Sequence, residues 1–188
     1  MKIKSIFNDV MLITPVSHED KRGFFSEIFN KETFQEKGIK EEFLQDNLSF
    51  SLKKNTLRGM HFQNKPYEQT KLIKVIKGSI FDVFIDLRKS SQTYEQFDYI
   101  NLKEDDGWLF IPKGYAHGFC TTSSETVVIY KVDNYYYPEA DSGIIWSDTY
   151  FNIPWPIKKD DALISEKDSK LPTWEKLKKI NNFGDNFG

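Results

Sequence analysis

In the run Ile80 to Leu87 every second residue is apolar: Phe81, Val83, Ile85 and Leu87 share one face, with Asp82 and Asp86 on the other. A two-residue period belongs to a β-strand, because successive side chains of a strand point to opposite sides. Strand signals recur in Val10 to Thr14, Phe24 to Phe29, Phe43 to Phe50, Thr56 to Phe62, Lys71 to Ile76, Phe97 to Leu102, Trp108 to Ile111 and Thr126 to Val132. Lys77-Gly78 separates two of these runs as a tight hairpin turn would. Helix signals are confined to Lys31 to Lys37, closed by Gly38 in the place of a C-cap glycine, and to Thr173 to Ile180, entered after Pro172. Short strands with helices only at the margins predict an all-β antiparallel sandwich or barrel of jelly-roll type. With no repeat or Pro/Gly-rich linker, residues 1–188 read as one domain, a jelly-roll core over about 10–155 and a C-terminal segment over about 156–188. Asn181 to Gly188, mostly Asn, Gly and Asp with two Phe, reads as a frayed end.

Composition narrows the partners. Lys and Arg number 26 against 28 Asp and Glu, a net charge of −2, so no dominant basic face awaits nucleic acid. No run approaches the roughly 18 apolar residues of a membrane helix, and Asp9 puts an acid where a signal peptide would be apolar. The expectation is a cytoplasmic protein without membrane partners. Cys120 is the single cysteine, which excludes an internal disulfide and a thiolate metal cage, and it reads as a buried structural thiol. Aromatic residues at 15% suit a β core, some of it able to stack on rings of a ligand.

Only Arg22, Arg58 and Arg88 are arginines, the remaining cations being lysine. The planar guanidinium holds a phosphate or carboxylate at two points, which lysine cannot do. Of three histidines, His18 lies in Ser17-His18-Glu19-Asp20, which reads as a polar loop, and is expected at the surface. Arg58 and His61, three apart, fall on opposite faces of a regular strand; both reach one pocket only if the chain bulges, and Gly59 is where it can. His117 sits in Pro112-Lys113-Gly114-Tyr115-Ala116-His117-Gly118, where glycines and a proline shape the backbone around an imidazole.

Pro112-x-Gly114-x-x-His117 resembles the second motif of the cupin superfamily of small β-barrels. Metal-binding cupins pair that histidine with an early His-x-His; here His61 is followed by Phe62-Gln63. A broader resemblance runs in order from about residue 20 to 172. Asp20-Lys21-Arg22-Gly23-Phe24-Phe25-Ser26-Glu27, Gln45-Asp46-Asn47-Leu48-Ser49, Leu57-Arg58-Gly59-Met60-His61-Phe62-Gln63 and Lys71-Leu72 are similar to the dTDP-4-dehydrorhamnose 3,5-epimerase family. So are Phe81-Asp82-Val83, Asp86-Leu87-Arg88, Ile111 to Phe119, Tyr130-Lys131, Tyr135-Tyr136, Trp146-Ser147-Asp148, Trp155-Pro156 and Ser165-Glu166-Lys167-Asp168.

The resemblance implies a cupin-like jelly roll, working without cofactor or metal, that inverts C3 and C5 of a nucleoside-diphosphate 4-keto-6-deoxy sugar. Carbon–hydrogen bonds beside a ketone are acidic because the anion spreads onto oxygen, so the site needs a base, an enolate stabiliser and an acid on the opposite face. Carried over, His61 is the base, Asp168 its carboxylate partner, Lys71 the cation at the enolate oxygen and Tyr130 the acid. Substrate-binding positions are Arg22, Phe25 and Glu27 at the nucleotide end, Gln45 and Asn47 on one strand face, and Arg58, His117 and Tyr136. Arg88 reads as structural. The family also implies a homodimer with N-terminal strands crossing between subunits, which would cover exposed strand edges.

Met60, Phe62, Thr70, Tyr94-Glu95 and Pro138 to Gly143 depart from the usual family pattern. They bear on which nucleoside and sugar are accepted. A related epimerase of GDP- or CDP-linked sugars or heptoses, or one acting at a single carbon, is thus an alternative. A metal-dependent cupin oxygenase and a catalytically silent sugar-nucleotide binder are others.

Overall fold

A computed structural model of the chain describes residues 1–180. Thirteen strands follow in order: β1 (Lys2–Phe7), β2 (Val10–Thr14), β3 (Ser17–Asp20), β4 (Gly23–Ser26), β5 (Gln45–Ser51), β6 (Leu57–Gln63), β7 (Lys71–Lys77), β8 (Ser79–Asp86), β9 (Phe97–Lys103), β10 (Trp108–Ile111), β11 (Tyr115–Thr121), β12 (Thr126–Val132) and β13 (Asp141–Gly143). Three short helices, α1 (Lys31–Glu36), α2 (Glu166–Ser169) and α3 (Trp174–Lys178), decorate them. A six-stranded sheet, β1-β2-β10-β7-β12-β5, faces a five-stranded sheet, β13-β6-β11-β8-β9, while β3 and β4 form a separate hairpin. The named strand pairs are antiparallel. The architecture is the expected cupin-like jelly roll. No helix among the described residues is long and apolar enough to cross a membrane.

The alternation in β8 is real, but both of its faces are buried. Phe81, Val83 and Ile85 turn outward and are covered by Ile144 and Phe151 and, from the C-terminal segment, Trp174 and Leu177. Ile80 and Phe84 turn inward, into the core between the sheets with Ile73, Val75, Leu109, Phe119 and Val128. Asp82 and Asp86 share that inward face and are fully buried. A third cluster, around Ile13, Leu72, Trp108 and Phe110, is capped on the outside of the six-stranded sheet by Phe34 of α1.

Boundaries shift for local reasons. The strand expected over Phe24 to Phe29 stops at Ser26, because Asn30 caps α1 by accepting from Glu32 N and Thr33 N. That helix ends one residue earlier than expected, with Gly38 at φ +91° and the bonds Gly38 N–H to Gln35 O and Ile39 N–H to Phe34 O closing it. Thr173 is the N-cap of α3 rather than its first residue. Strands β1, β3 and β11 carried no apolar alternation: the first two are polar and largely exposed, and β11 is buried on both faces. His18 is exposed on β3 rather than in a loop, and Cys120 is buried, as expected. The frayed end expected over residues 181–188 lies outside the described residues.

Arg88 is structural. Its guanidinium reaches Asp9 Oδ2 at 2.6 Å and Asp86 Oδ2 at 2.8 Å, and the Tyr115 hydroxyl donates to Asp9 Oδ1 at 2.6 Å. Burial raises the Asp86 carboxyl, but bonds from Arg88, Ser91 and Thr93 outweigh it and hold the group below its ordinary value. A depressed carboxylate stabilises the fold above its ordinary range near about 3.9, and that contribution is lost as pH falls. Arg88→Met therefore costs about 3 kcal/mol at neutral pH. In urea unfolding, the gap to wild type should narrow below about pH 4; a gap that is absent, or unchanged by acid, would contradict this account.

Candidate active site

Between the two sheets, at one end of the interior, apolar side chains give way to polar ones around an open cavity of about 820 Å³. That volume lies within the roughly 300–1,000 Å³ range of ligand pockets. The change depends on a bulge in β6. His61 pairs with His117 of β11, but Arg58 pairs with Phe119, so three steps of one strand match two of the other. Gly59 sits there at φ +113°, where a Cβ would lie 2.5 Å from Gly118 Cα and 2.7 Å from His117 O. The extra residue turns both Arg58 and His61 onto the cavity, as their spacing required.

Asp168 arrives from the far end of the chain. Ser165 caps α2 by accepting from Asp168 N, and the Asp168 carboxyl then meets His61 Nε2 at 2.8 Å through Oδ1 and Gly59 N–H at 3.2 Å through Oδ2. Burial alone would raise this carboxyl; the His61 bond and charge and the Gly59 donor bring it below its usual value. With Nε2 engaged, Nδ1 of His61 is the nitrogen left to exchange protons.

Lys71 points inward from β7 in line with Ile73 and Val75, and its Nζ donates to His61 O at 3.3 Å. Burial pushes its ammonium down to about 8, against the opposing pull of Asp141 and Asp82. Tyr130, on β12 of the opposite sheet, lines the cavity facing His61. Burial raises its phenol, Arg58 pulls it down, and Asp141 and Tyr136 raise it further, so the hydroxyl stays protonated at neutral pH. His117 lines the cavity with Nε2 held by both oxygens of Asp82 at 3.0 and 2.9 Å. Burial raises Asp82 and lowers His117.

The remaining expected residues divide. Tyr136 lines the cavity, its hydroxyl 3.1 Å from Asp141 Oδ2 and its N–H on Gln45 Oε1. Gln45 Nε2 donates to Asn47 Oδ1 at 2.8 Å, so the two residues brace the Tyr136 loop while Ser49 of the same strand face reaches the cavity. Arg22, Phe25 and Glu27 lie elsewhere, on and just after the β3–β4 hairpin. Arg22 is paired with its neighbour Asp20, and Phe25 is 72% exposed. Asp141 and Lys167, joined as an ion pair on the cavity wall, went unremarked in the sequence. Lys167 lay between two residues of a recognised motif, whereas Asp141 falls in the stretch that has drifted. Among the described residues no three His, Cys, Asp or Glu side chains converge as metal ligands.

An imidazole on a carboxylate, a partly buried cation and a phenol held on facing sheets of a jelly roll can move protons at carbon beside a carbonyl, the chemistry of cupin-like sugar-nucleotide isomerases. The chain belongs to the dTDP-4-dehydrorhamnose 3,5-epimerase family, whose model matches residues 4–176. The dTDP-4-dehydrorhamnose 3,5-epimerase of Methanothermobacter thermautotrophicus is 45% identical over 179 residues, spanning 94% of each chain. A crystal structure of the Bacillus anthracis enzyme with TDP and PPi bound superposes with a TM-score of 0.87 at 44% identity, covering 92% of this chain and 99% of that one. The Legionella pneumophila enzyme in complex with dTDP-4-keto-L-rhamnose gives 0.84 at 36% identity, covering 92% of each.

Because the bulge sets Arg58, His61 and the Asp168 anchor together, Gly59→Ala should lower stability by more than about 2 kcal/mol. An unchanged midpoint in urea unfolding would show that the strands can part to admit a methyl group.

Proposed function

We infer that the protein inverts C5 and C3 of dTDP-4-dehydro-6-deoxyglucose to give dTDP-4-dehydrorhamnose, and propose that His61, Asp168, Lys71 and Tyr130 carry the chemistry. Relatives that hold TDP or dTDP-4-keto-L-rhamnose support dTDP among the nucleosides the sequence left open. Family membership sets aside the oxygenase and silent-binder readings. The observation that carries the assignment of roles is the 2.8 Å contact of His61 Nε2 with Asp168, in a cavity that Tyr130 faces from the other sheet.

His61 Nδ1 takes the proton from C5 or C3. Asp168 fixes the tautomer and stabilises the imidazolium, as the acid of a catalytic triad does. Charge moves to the C4 oxygen, where the Lys71 ammonium meets it with little water to screen the attraction. Tyr130 delivers a proton to the opposite face and is left as a phenolate near Arg58, whose positive charge already favours that ion. Arg58, His117 and Tyr136 hold the remainder of the substrate. The buried, unpaired Cys120 fits a reducing compartment, and we read the working location as the cytoplasm.

Arg22, Phe25 and Glu27 fit this reading as substrate ligands if they serve another subunit. Their hairpin stands outside the cavity of its own chain, and β5, the edge strand beside that cavity, exposes Leu48 and Phe50, with Leu52 exposed just beyond its end. A homodimer that lays each hairpin against its partner's β5 edge covers these apolar side chains and brings the guanidinium to the diphosphate.

Two experiments test the scheme. In D2O, Tyr130→Phe should slowly introduce deuterium at C5 or C3 with configuration retained, while His61→Ala loses exchange by about 10²–10⁴-fold. Inversion by Tyr130→Phe at wild-type rate, read by NMR, would sink the assignment. Mixing inactive His61→Ala with weakened Arg22→Glu should restore about a quarter of wild-type activity through one intact shared site. No recovery on mixing would place Arg22 in its own subunit's chemistry or outside it altogether.

A further inference from the structure

Two His–carboxylate pairs face the same cavity, and the scheme above uses one of them. His61 and His117 are direct cross-strand partners, and each has Nε2 on a carboxylate, Asp168 for the first and Asp82 for the second. Asp82 differs from Asp168 in every other respect. It is 0% exposed, does not line the cavity, and among the described residues its carboxyl is hydrogen-bonded by His117 alone. The other buried acid on the inward face of β8, Asp86, is tied to Arg88, Ser91 and Thr93 in a network that knits the fold. Asp82 knits nothing beyond one imidazole. A carboxylate taken out of water for a single partner is costly to keep, and an apolar residue would pack as well.

We propose that Asp82 is a positioning residue: by gripping His117 Nε2 with both oxygens it turns Nδ1 into the cavity as a hydrogen-bond donor to the sugar oxygen that gains charge when His61 removes a proton. This rests on the epimerase reading of the cavity. The placement follows from the sheet. His117 stands opposite the base on the adjacent strand, so the two rings are about 5 Å apart at their Cβ atoms, near the same reacting carbons. Burial disfavours a charge on either partner, so the pair as a unit is net neutral and holds two protons, one between Nε2 and the carboxyl and the other on Nδ1. Wherever that proton sits along the contact, Nδ1 carries its own hydrogen and points it at the cavity. Lys71 and His117 then meet the developing anion from neighbouring positions, the first by charge and the second by direction.

Asp82→Asn preserves size but offers either an oxygen or an NH2 to Nε2, so the ring is no longer held as a donor. The variant should bind dTDP within about threefold of wild type while kcat falls about 10- to 100-fold with little change in KM. Asp82→Asn combined with His117→Gln should be no slower than His117→Gln alone, since Asp82 acts through that ring. In wild-type protein, proton NMR should show a far-downfield resonance from the Nε2–carboxyl contact that disappears in His117→Gln, a readout that needs no folded Asp82 variant. Wild-type kcat in Asp82→Asn, losses that multiply in the double variant, or absence of the downfield proton would each overturn the proposal. Failure of wild-type protein to epimerise would instead count against the epimerase reading itself.

Discussion

Gly59 and Gly118 approach so closely that neither strand tolerates a side chain between them, and the cavity is organised around that contact. The extra residue in β6 rotates Arg58 to the side where His61 already points. The same bulge frees the Gly59 N–H to bind Asp168, so one local irregularity places His61 and anchors the carboxylate that meets it. A regular ladder would have paired that N–H with a neighbour and sent the arginine to the opposite face of the sheet.

The polar end of the interior is sustained by the apolar end. Phe84, Ile73, Val75 and Val128 fill the space between the sheets just beyond Lys71, Asp82 and His117, and they keep water from that side. Desolvation is thus the common cause behind a lysine lowered to about 8, a raised phenol and a histidine disfavoured as a cation. Each of these groups sits on a strand rather than a loop, so its position is held by ladder bonds on both sides. In the nearby Asp141–Lys167 pair the carboxylate is largely sheltered, and Lys167 is the member that water solvates.

Much of this was legible in the sequence, and the gaps have physical reasons. Period-two alternation located β8, other strand signals located β2, β7, β10 and β12, and the three-residue interval between Arg58 and His61 called for a bulge at Gly59, where the bulge lies. Tyr115 to Thr121 mixes small, polar and apolar residues, including Ala116 and Gly118 of low strand propensity, so β11 showed neither alternation nor an apolar run. Nor could alternation show that Asp82 and Asp86 face the interior, since which face of β8 meets the opposite sheet depends on the C-terminal segment that covers the other one. The pairing of Asp168 with His61 spans 107 residues and came only from family resemblance. The displacement of Arg22 and Phe25 from the cavity was invisible because a motif's order in sequence does not say where in space its residues lie.

That long span has a consequence during synthesis. The strands that frame the cavity are all complete by Gly143, whereas the carboxylate for His61 arrives on α2, held by Trp174 and Leu177 against the outside of the five-stranded sheet. A nascent chain emerging from a ribosome can therefore assemble the sandwich before it can assemble the dyad. The imidazole gains its partner only when the segment carrying Asp168, Trp174 and Leu177 has left the exit tunnel and docked. In the order of synthesis the carboxylate therefore follows the imidazole it meets by more than a hundred residues, and the outer face of β8 is covered in the same late step.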